Sequence, residues 1–366
     1  MSKIAITAFS LLVSASLASA APLNLFVTNL VSDQPGKAQI TDPSLVNGWG
    51  ISSGPTSPFW VSANSTGVST IYKVVGGVVT KIPLNVAVPG NGSVTGQIFN
   101  SGAAGGAFHG DNFVFASEDG TISGWRGTLG ASAETLMAGS AANVYKGLAY
   151  AQTGGSSYVY AANFRAGSID VLKGDAAAPS LTGTFVDPTL PAGYAPFNIQ
   201  NINGTLYVAY AQQDGTKHDE IPGAGKGFVS RFDLNGKFLG RLVSQGALDA
   251  PWGLAIAPST WGDLAGNLLV GDFGDGMIHR YDPTTGILLG ALLGPNGTPL
   301  AIDGLWGLQF GNGGSGGDVN KLYFSAGPDG EAHGLFGAIA PVPEPGTWLL
   351  MVGGFGLIAL LRRRAA

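Results

Sequence analysis

The sequence predicts an all-β fold, a six-bladed β-propeller with four-stranded antiparallel blades, on three observations. Glycine fills 59 of 366 positions and charged residues only 11%, against a usual ~25%. That balance suits short strands joined by tight turns better than helices with charged faces. The apolar runs are four to six residues long, alternate with period two and end in Gly, Asn, Asp or Pro, as antiparallel meander strands do. Finally, a unit of about fifty residues returns six times, and a ~40–50-residue repeat of four strands is the pattern of a propeller blade.

The repeat is legible residue by residue. Trp49-Gly50-Ile51 is followed by Phe59 to Asn64, a Gly turn and Thr70 to Val74. Gly147-Leu148-Ala149 leads likewise to Tyr158 to Phe164 and Ile169 to Val171, and Trp252-Gly253-Leu254 to Leu268 to Phe273 and Ile278 to Asp282. Trp306-Gly307-Leu308 with Leu322 to Ala326 is another copy, and Gln97-Ile98-Phe99 and Asn198-Ile199-Gln200 open two weaker ones. The Trp-Gly pairs belong on the innermost strand, where glycine lets neighbouring blades approach near the axis. The sixth unit shows only three strands, so Leu23 to Leu30 is expected to supply the fourth and latch the ring.

Both ends read as processing signals. Residues 1–20 hold Lys3, an apolar stretch and Ala18-Ser19-Ala20, the pattern of a signal peptide cleaved after Ala20. Residues 21–340 make the propeller. Residues 341–366 carry Val342, Pro343, Glu344 and Pro345, a fourteen-residue apolar run from Trp348 to Leu361, and then Arg362, Arg363 and Arg364. As a helix that run covers about 21 Å, short against a hydrocarbon core of ~30 Å, and the arginines would hold its end on the cytoplasmic side.

This tripartite tail resembles the PEP-CTERM sorting signal of Gram-negative bacteria that make exopolysaccharide. The resemblance implies recognition by a membrane protease of the exosortase type, transient anchoring in the inner membrane through the C-terminal helix, and release to the cell surface or extracellular matrix. Glu118 to Trp125, Tyr145 to Ala149, Ala250 to Leu254, Gly271 to Gly276 and Gly304 to Leu308 are similar to strings of a family of secreted PEP-CTERM propellers without established activity. That resemblance implies fold and address but no substrate.

Composition closes several functional classes. With no cysteine there is no disulfide framework, thiol nucleophile or Cys-ligated zinc. With 18 basic residues against 23 acidic ones and a net charge of -5, nucleic acid is not an expected partner.

Two candidate sites remain. Aligning the units puts Trp49, Gly96, Lys146, Phe197, Trp252 and Trp306 at one position near the axis, where aromatic faces would either stack on a saccharide such as exopolysaccharide or fill the wedge between blades. The fourth unit carries an insertion, Gln212 to Glu220, followed by the Gly-rich Ile221 to Gly227, and its Asp214, Asp219 and Glu220 are candidate ligands for a calcium ion. It departs from the EF-hand pattern at Thr216 and His218, and a solvated loop is the plainer reading. No cofactor is otherwise expected.

No serine lies in a nucleophile-elbow context. The architecture resembles that of six-bladed lactonases, but their first-blade metal-binding glutamate has no counterpart around Asn47-Gly48-Trp49. The expectation is a non-enzymatic binding or matrix-interaction module. The alternative is a metal-dependent hydrolase of a small ester, lactone or glycan, with His109, Asp111 and Asp272 as its first candidates.

The surface form is expected to lack Trp348 to Arg364. Intact mass of the released species reads this directly, and a released species ending at Ala366 contradicts it.

Overall fold

The computed structural model describes residues 24–342. The predicted signal peptide, Pro343 to Pro345 and the arginine-ended apolar run lie outside the described residues. Among the described residues no helix is long and apolar enough to cross a membrane.

Six antiparallel sheets follow in chain order and form the predicted propeller. Blade 1 comprises Gly48–Ser52, Phe59–Ala63, Val68–Val75 and Val78–Ala87, and blade 2 comprises Val94–Phe99, Phe113–Ser117, Ile122–Trp125 and Glu134–Met137. Blade 4 (Tyr194–Ile202, Thr205–Gln212, Gly227–Asp233, Phe238–Ser244) and blade 5 (Pro251–Ile256, Leu268–Asp272, Ile278–Tyr281, Leu288–Ala291) repeat the pattern.

Blade 3 stops at three strands, Tyr145–Thr153, Ser156–Asn163 and Ser168–Lys173. The chain beyond it contains Pro179, Pro188 and Pro191, which cannot donate to a ladder. It instead crosses to blade 4, where Gly183 N and Phe185 N donate to Asn235 O and Gly236 O at 2.9 and 3.0 Å.

Blade 6 (Leu305–Phe310, Leu322–Ala326, Leu335–Pro341) is completed by Leu25–Ser32, which pairs antiparallel with Leu335–Pro341 from Leu25↔Pro341 to Ser32↔Leu335. The predicted latch is therefore present, and the short Ile40–Thr41 strand adds a parallel fifth member. Joining first and last strands in one sheet leaves no seam in the ring.

Each blade interface is a wedge of apolar side chains. Tyr158, Tyr160, Phe185, Tyr210 and Phe232 fill that between blades 3 and 4, and Phe59, Tyr72, Tyr323 and Phe336 that between blades 6 and 1. Burying each such ring is worth roughly 1.5–3 kcal/mol, so the wedges dominate the folding energy.

Nearer the axis the strands leave no room for side chains. A Cβ on Gly50 would meet Thr95 O at 2.5 Å, one on Gly147 would meet the Asn198 Cα at 2.7 Å, and one on Gly307 would meet Trp49 O at 2.8 Å. The predicted role of the Trp-Gly glycines is thus observed.

All inner strands run from one face of the ring to the other. The first face carries the turns between second and third strands, and the second face carries those between first and second strands together with the Leu25 and Pro341 strand ends.

Two variants check this architecture. Gly147→Val should lose at least ~1–3 kcal/mol in denaturant unfolding, the usual cost of overpacking. Removing Leu25 to Ser32 should abolish or sharply lower the cooperative thermal transition, and an unchanged melting temperature would contradict the latch.

Candidate functional site: the first axial mouth

Every inner strand breaks register at the same level. The irregularities fall between Gly48 and Ile51, Val94 and Gln97, Tyr145 and Leu148, Pro196 and Asn198, Pro251 and Gly253, and Leu305 and Leu308. A bulge re-aims the side chain it carries. Here it brings Trp49, Phe197, Trp252 and Trp306 into one cluster with Phe164 and Phe273.

Trp49 stacks on Trp306 with centroids 3.7 Å apart, Phe273 stacks on the Trp306 ring at 4.1 Å, and Trp252 meets Trp306 edge-on at 5.9 Å. Trp49, Phe197, Trp252 and Trp306 are all buried. Their faces cover one another and form a plug across the axis, so they offer a saccharide no open stacking surface. In blade 2 the tryptophan position falls to Thr95 and not to Gly96, because Gly96 lies among the close-approach glycines against Gly147.

Lys146 takes the tryptophan position in blade 3, only 1% exposed, with Nζ 4.9 Å from the Trp49 ring centroid. Its ammonium donates to Glu118 Oε1 at 2.5 Å and to Asp219 Oδ1 at 3.4 Å. His218 Nδ1 lies 2.7 Å from Asp219 Oδ1. On the other side Asn64 Nδ2 donates to Glu118 Oε2 at 3.2 Å, and Asn47 Nδ2 donates to Asn64 Oδ1 at 3.4 Å and Glu331 Oε1 at 3.0 Å. Asn47 Oδ1 accepts the Trp49 indole N–H at 2.9 Å. One polar arc therefore runs over the plug from blade 6 through blades 1, 2 and 3 to the blade 4 insertion.

Local chain geometry aims these groups. Asn47 and Glu331 sit at φ +53° and +69°, a left-handed conformation that is costly for residues other than glycine and is held here by the surrounding bonds. The insertion, together with the Gly-rich run after it, is anchored on both neighbouring blades, with Gln213 Nε2 donating to Phe164 O and Gly223 N to Asp249 Oδ1, both at 2.5 Å. It therefore caps the mouth. It also brings Asp219 and Glu220 to the axis but leaves Asp214 apart, where the Asp214 carboxylate accepts from the backbone N–H groups of Thr216 and His218.

Burial works to lower the Lys146 pKa, but the Glu118, Glu220 and Asp219 carboxylates more than offset it, so the ammonium is held charged. Burial pushes the Glu220 carboxyl up to about 7 despite Lys146, and it raises Glu331 as well. Ligand atoms of Glu118, His218 and Asp219 lie within 4.8 Å of one another. A divalent cation there would compete with the Lys146 ammonium, which already supplies positive charge to two of the three.

The other sequence candidates lie elsewhere. Asp111 is buried and paired with Arg126 at 2.8 Å, Arg126 also binds Glu134 at 2.5 Å, and His109 Nδ1 lies 3.0 Å from the same Glu134 oxygen. Asp272 is buried against His279 Nδ1 at 2.8 Å and accepts Asp249 N. Each is a brace within its own blade region, and the structure does not bring them together at the axis. Glu118, Asn47 and Asn64 were not singled out from sequence. The signal was present: Asn64 and Glu118 each follow directly on the second strand of their blade, one turn above the plug.

Residues 341–365 match the PEP-CTERM protein-sorting motif, which implies recognition by an exosortase and export to the cell surface or beyond. Two uncharacterized proteins of Acanthamoeba polyphaga mimivirus are each 32% identical to this chain. One matches over 337 residues, 86% of this chain and 79% of the relative, and the other over 329 residues, 86% and 85%. The chain belongs to their family. Among solved structures, the soluble aldose sugar dehydrogenase of Escherichia coli is similar with a TM-score of 0.53 and 12% identity, covering 87% of this chain and 100% of that one. At that identity the likeness is one of fold alone.

Two substitutions test the electrostatics of the mouth. Lys146→Met leaves the part-buried Glu118 and the exposed Asp219 without their counter-charge, a loss that should stay below the roughly 3–5 kcal/mol of breaking a fully buried pair. Glu220 has a folded pKa above its unfolded one, so between about 4.5 and 7 the folded chain holds a proton the unfolded chain has released. Its contribution is therefore full in acid and lost as pH rises through about 7. Glu220→Gln should raise the denaturant midpoint at pH 8 and leave it nearly unchanged at pH 4.

Proposed function

We propose that the exported domain is a non-enzymatic binding module of the cell surface or extracellular matrix, released from a transient inner-membrane anchor, with exopolysaccharide as its matrix partner. One observation carries this reading. Hydrolysis needs an activated nucleophile with an adjacent base, or a cation with an open coordination position. At the first axial mouth the place such a cation would take is filled by the Lys146 ammonium, bonded to Glu118 and Asp219. The carboxylates are committed to holding blades and insertion together, and the plug beneath them is packed against itself.

A second reading, a metal-dependent hydrolase of a small ester, lactone or glycan, is favoured by the convergence of Glu118, His218 and Asp219. Calcium is the hard cation such oxygens would take in an extracellular setting. It would require Lys146 to swing out of the arc.

The purified surface form should co-sediment with matrix polysaccharide from cells lacking the protein. It should hydrolyse lactones, aryl esters and aryl glycosides no faster than buffer, with or without calcium or zinc. Metal-dependent turnover that Glu118→Gln abolishes, with melting unchanged, would establish the second reading in place of the first.

A further inference from the structure

The axis is open at its other end. On the second face a cavity of about 320 Å³ is walled by Ser52, Ser53, Tyr150, Gln200, Asn201 and Gln309. Ile51, Gln97, Gln200 and Gln309 also line a smaller chamber of about 30 Å³ that reaches Asn198 and Trp252, so the two form one funnel ending blind at the tryptophan plug. Its mouth is at the lower end of the ~300–1,000 Å³ range of small-ligand sites.

The lining is unusual for what it excludes. Among the described residues, no Asp, Glu, Lys, Arg or His walls either part. The polar part of the wall is amides and hydroxyls, and the rest is apolar, with Ile51, Ile98 and Phe99 in the mouth and Leu148, Leu254 and Leu308 in the chamber. Part of it is fixed in place: Gln97 Nε2 donates to Gly50 O at 3.0 Å, and Gln309 Nε2 donates to Ser53 Oγ at 2.8 Å.

The open polar group of the wall is Gln200, which lines both parts of the funnel and is only partly buried, so its amide is open to a ligand.

We infer that this funnel is a binding site for the end of a neutral saccharide, one or two rings deep. Amides and hydroxyls both donate and accept, which matches a ring of hydroxyl groups. A blind funnel takes a chain end and does not let a polymer thread through. Peptide termini, nucleotides and uronates would bring charge into a wall that has none to offset it, at the cost of burying an unpaired ion, whereas the end of a neutral glycan brings none. Tyr150 and Phe99 at the rim give the ring an apolar edge to rest on. The inference rests on the binding-module reading and adds its ligand class and its site.

The test uses the purified surface form and neutral gluco-, manno- and galacto-oligosaccharides of two to six units, with uronate disaccharides as charged controls, read by ligand-observed NMR and calorimetry. Neutral oligosaccharides should bind with affinity flat from pH 5 to 8 and insensitive to salt, and uronates at least tenfold more weakly. Gln200→Leu and Gln309→Leu should each weaken binding at least tenfold. Gln200 is part-buried, so Gln200→Leu should leave the melting temperature level while binding falls, an outcome a merely structural glutamine would not give. Glu220→Gln at the opposite mouth should bind as the unaltered chain does.

Binding that survives both funnel substitutions in folded protein, or that favours uronates, overturns the site. If the surface form is retained on matrix polysaccharide but no neutral oligosaccharide binds it, the funnel assignment fails and the binding-module reading stands. If neither occurs, both fail.

Discussion

Six inner strands converge on one axis with no hydrogen-bonded ladder between them, and the way this chain meets that constraint organises the rest of the molecule. Glycines at 50, 96, 147, 253 and 307 let the backbones approach until a Cβ would collide with the next blade. The backbone carbonyls at this contact still need donors, and side chains of neighbouring blades supply them. Gln97 serves Gly50, Thr95 serves Tyr145, Asn198 serves Trp252 and Ser325 serves Trp49. The bulges that accompany the contact turn four aromatic rings onto the axis. Ring closure and axial plug are one device: Trp49 and Trp306, the tightest stacked pair, come from the first and last blades.

The plug divides the axis into two mouths of opposite chemistry. Above it, Lys146 anchors an arc of carboxylates and asparagines beneath the blade 4 insertion, where charges are paired and the chain is tied down. Below it, the funnel holds only uncharged groups. Such a division assigns cohesion to one face and leaves the other free for a ligand. It also places the uncharged mouth on the face where the Pro341 strand ends, immediately before the sorting motif.

Much of the fold was legible because it is periodic. The Trp-Gly pairs marked the inner strands, the six-fold spacing gave the blade number, and the missing fourth strand of the last unit pointed to the N-terminal latch. Blade 3 was not legible as a three-stranded sheet, because the run from Ala176 to Gly193 loses its ladder to prolines and to a neighbour distant in sequence.

The candidate sites were harder to read for the same physical reason. Trp49, Phe197, Trp252 and Trp306 share one level of the repeat, but sequence cannot say whether rings at one level face solvent or one another. Asp219 and Glu220 were flagged as loop acids, yet their partner Lys146 lies 73 positions from Asp219. The arc joining Glu331 to Asn47 spans 284 positions. The funnel's polar wall is spread over blades 1, 2, 3, 4 and 6, one to three residues from each, and leaves no local motif.

The central claim is that the axial plug, and not only the wedges, joins the first blade to the last. A double-mutant cycle of Trp49→Leu and Trp306→Leu, followed by equilibrium unfolding in denaturant, tests it most directly. Aromatic pairs contribute about 0.5–1.5 kcal/mol beyond their buried area, so the account predicts a coupling of about 1 kcal/mol or more within a single cooperative transition. Effects that add to within ~0.3–0.5 kcal/mol, the behaviour of independent sites, would contradict it.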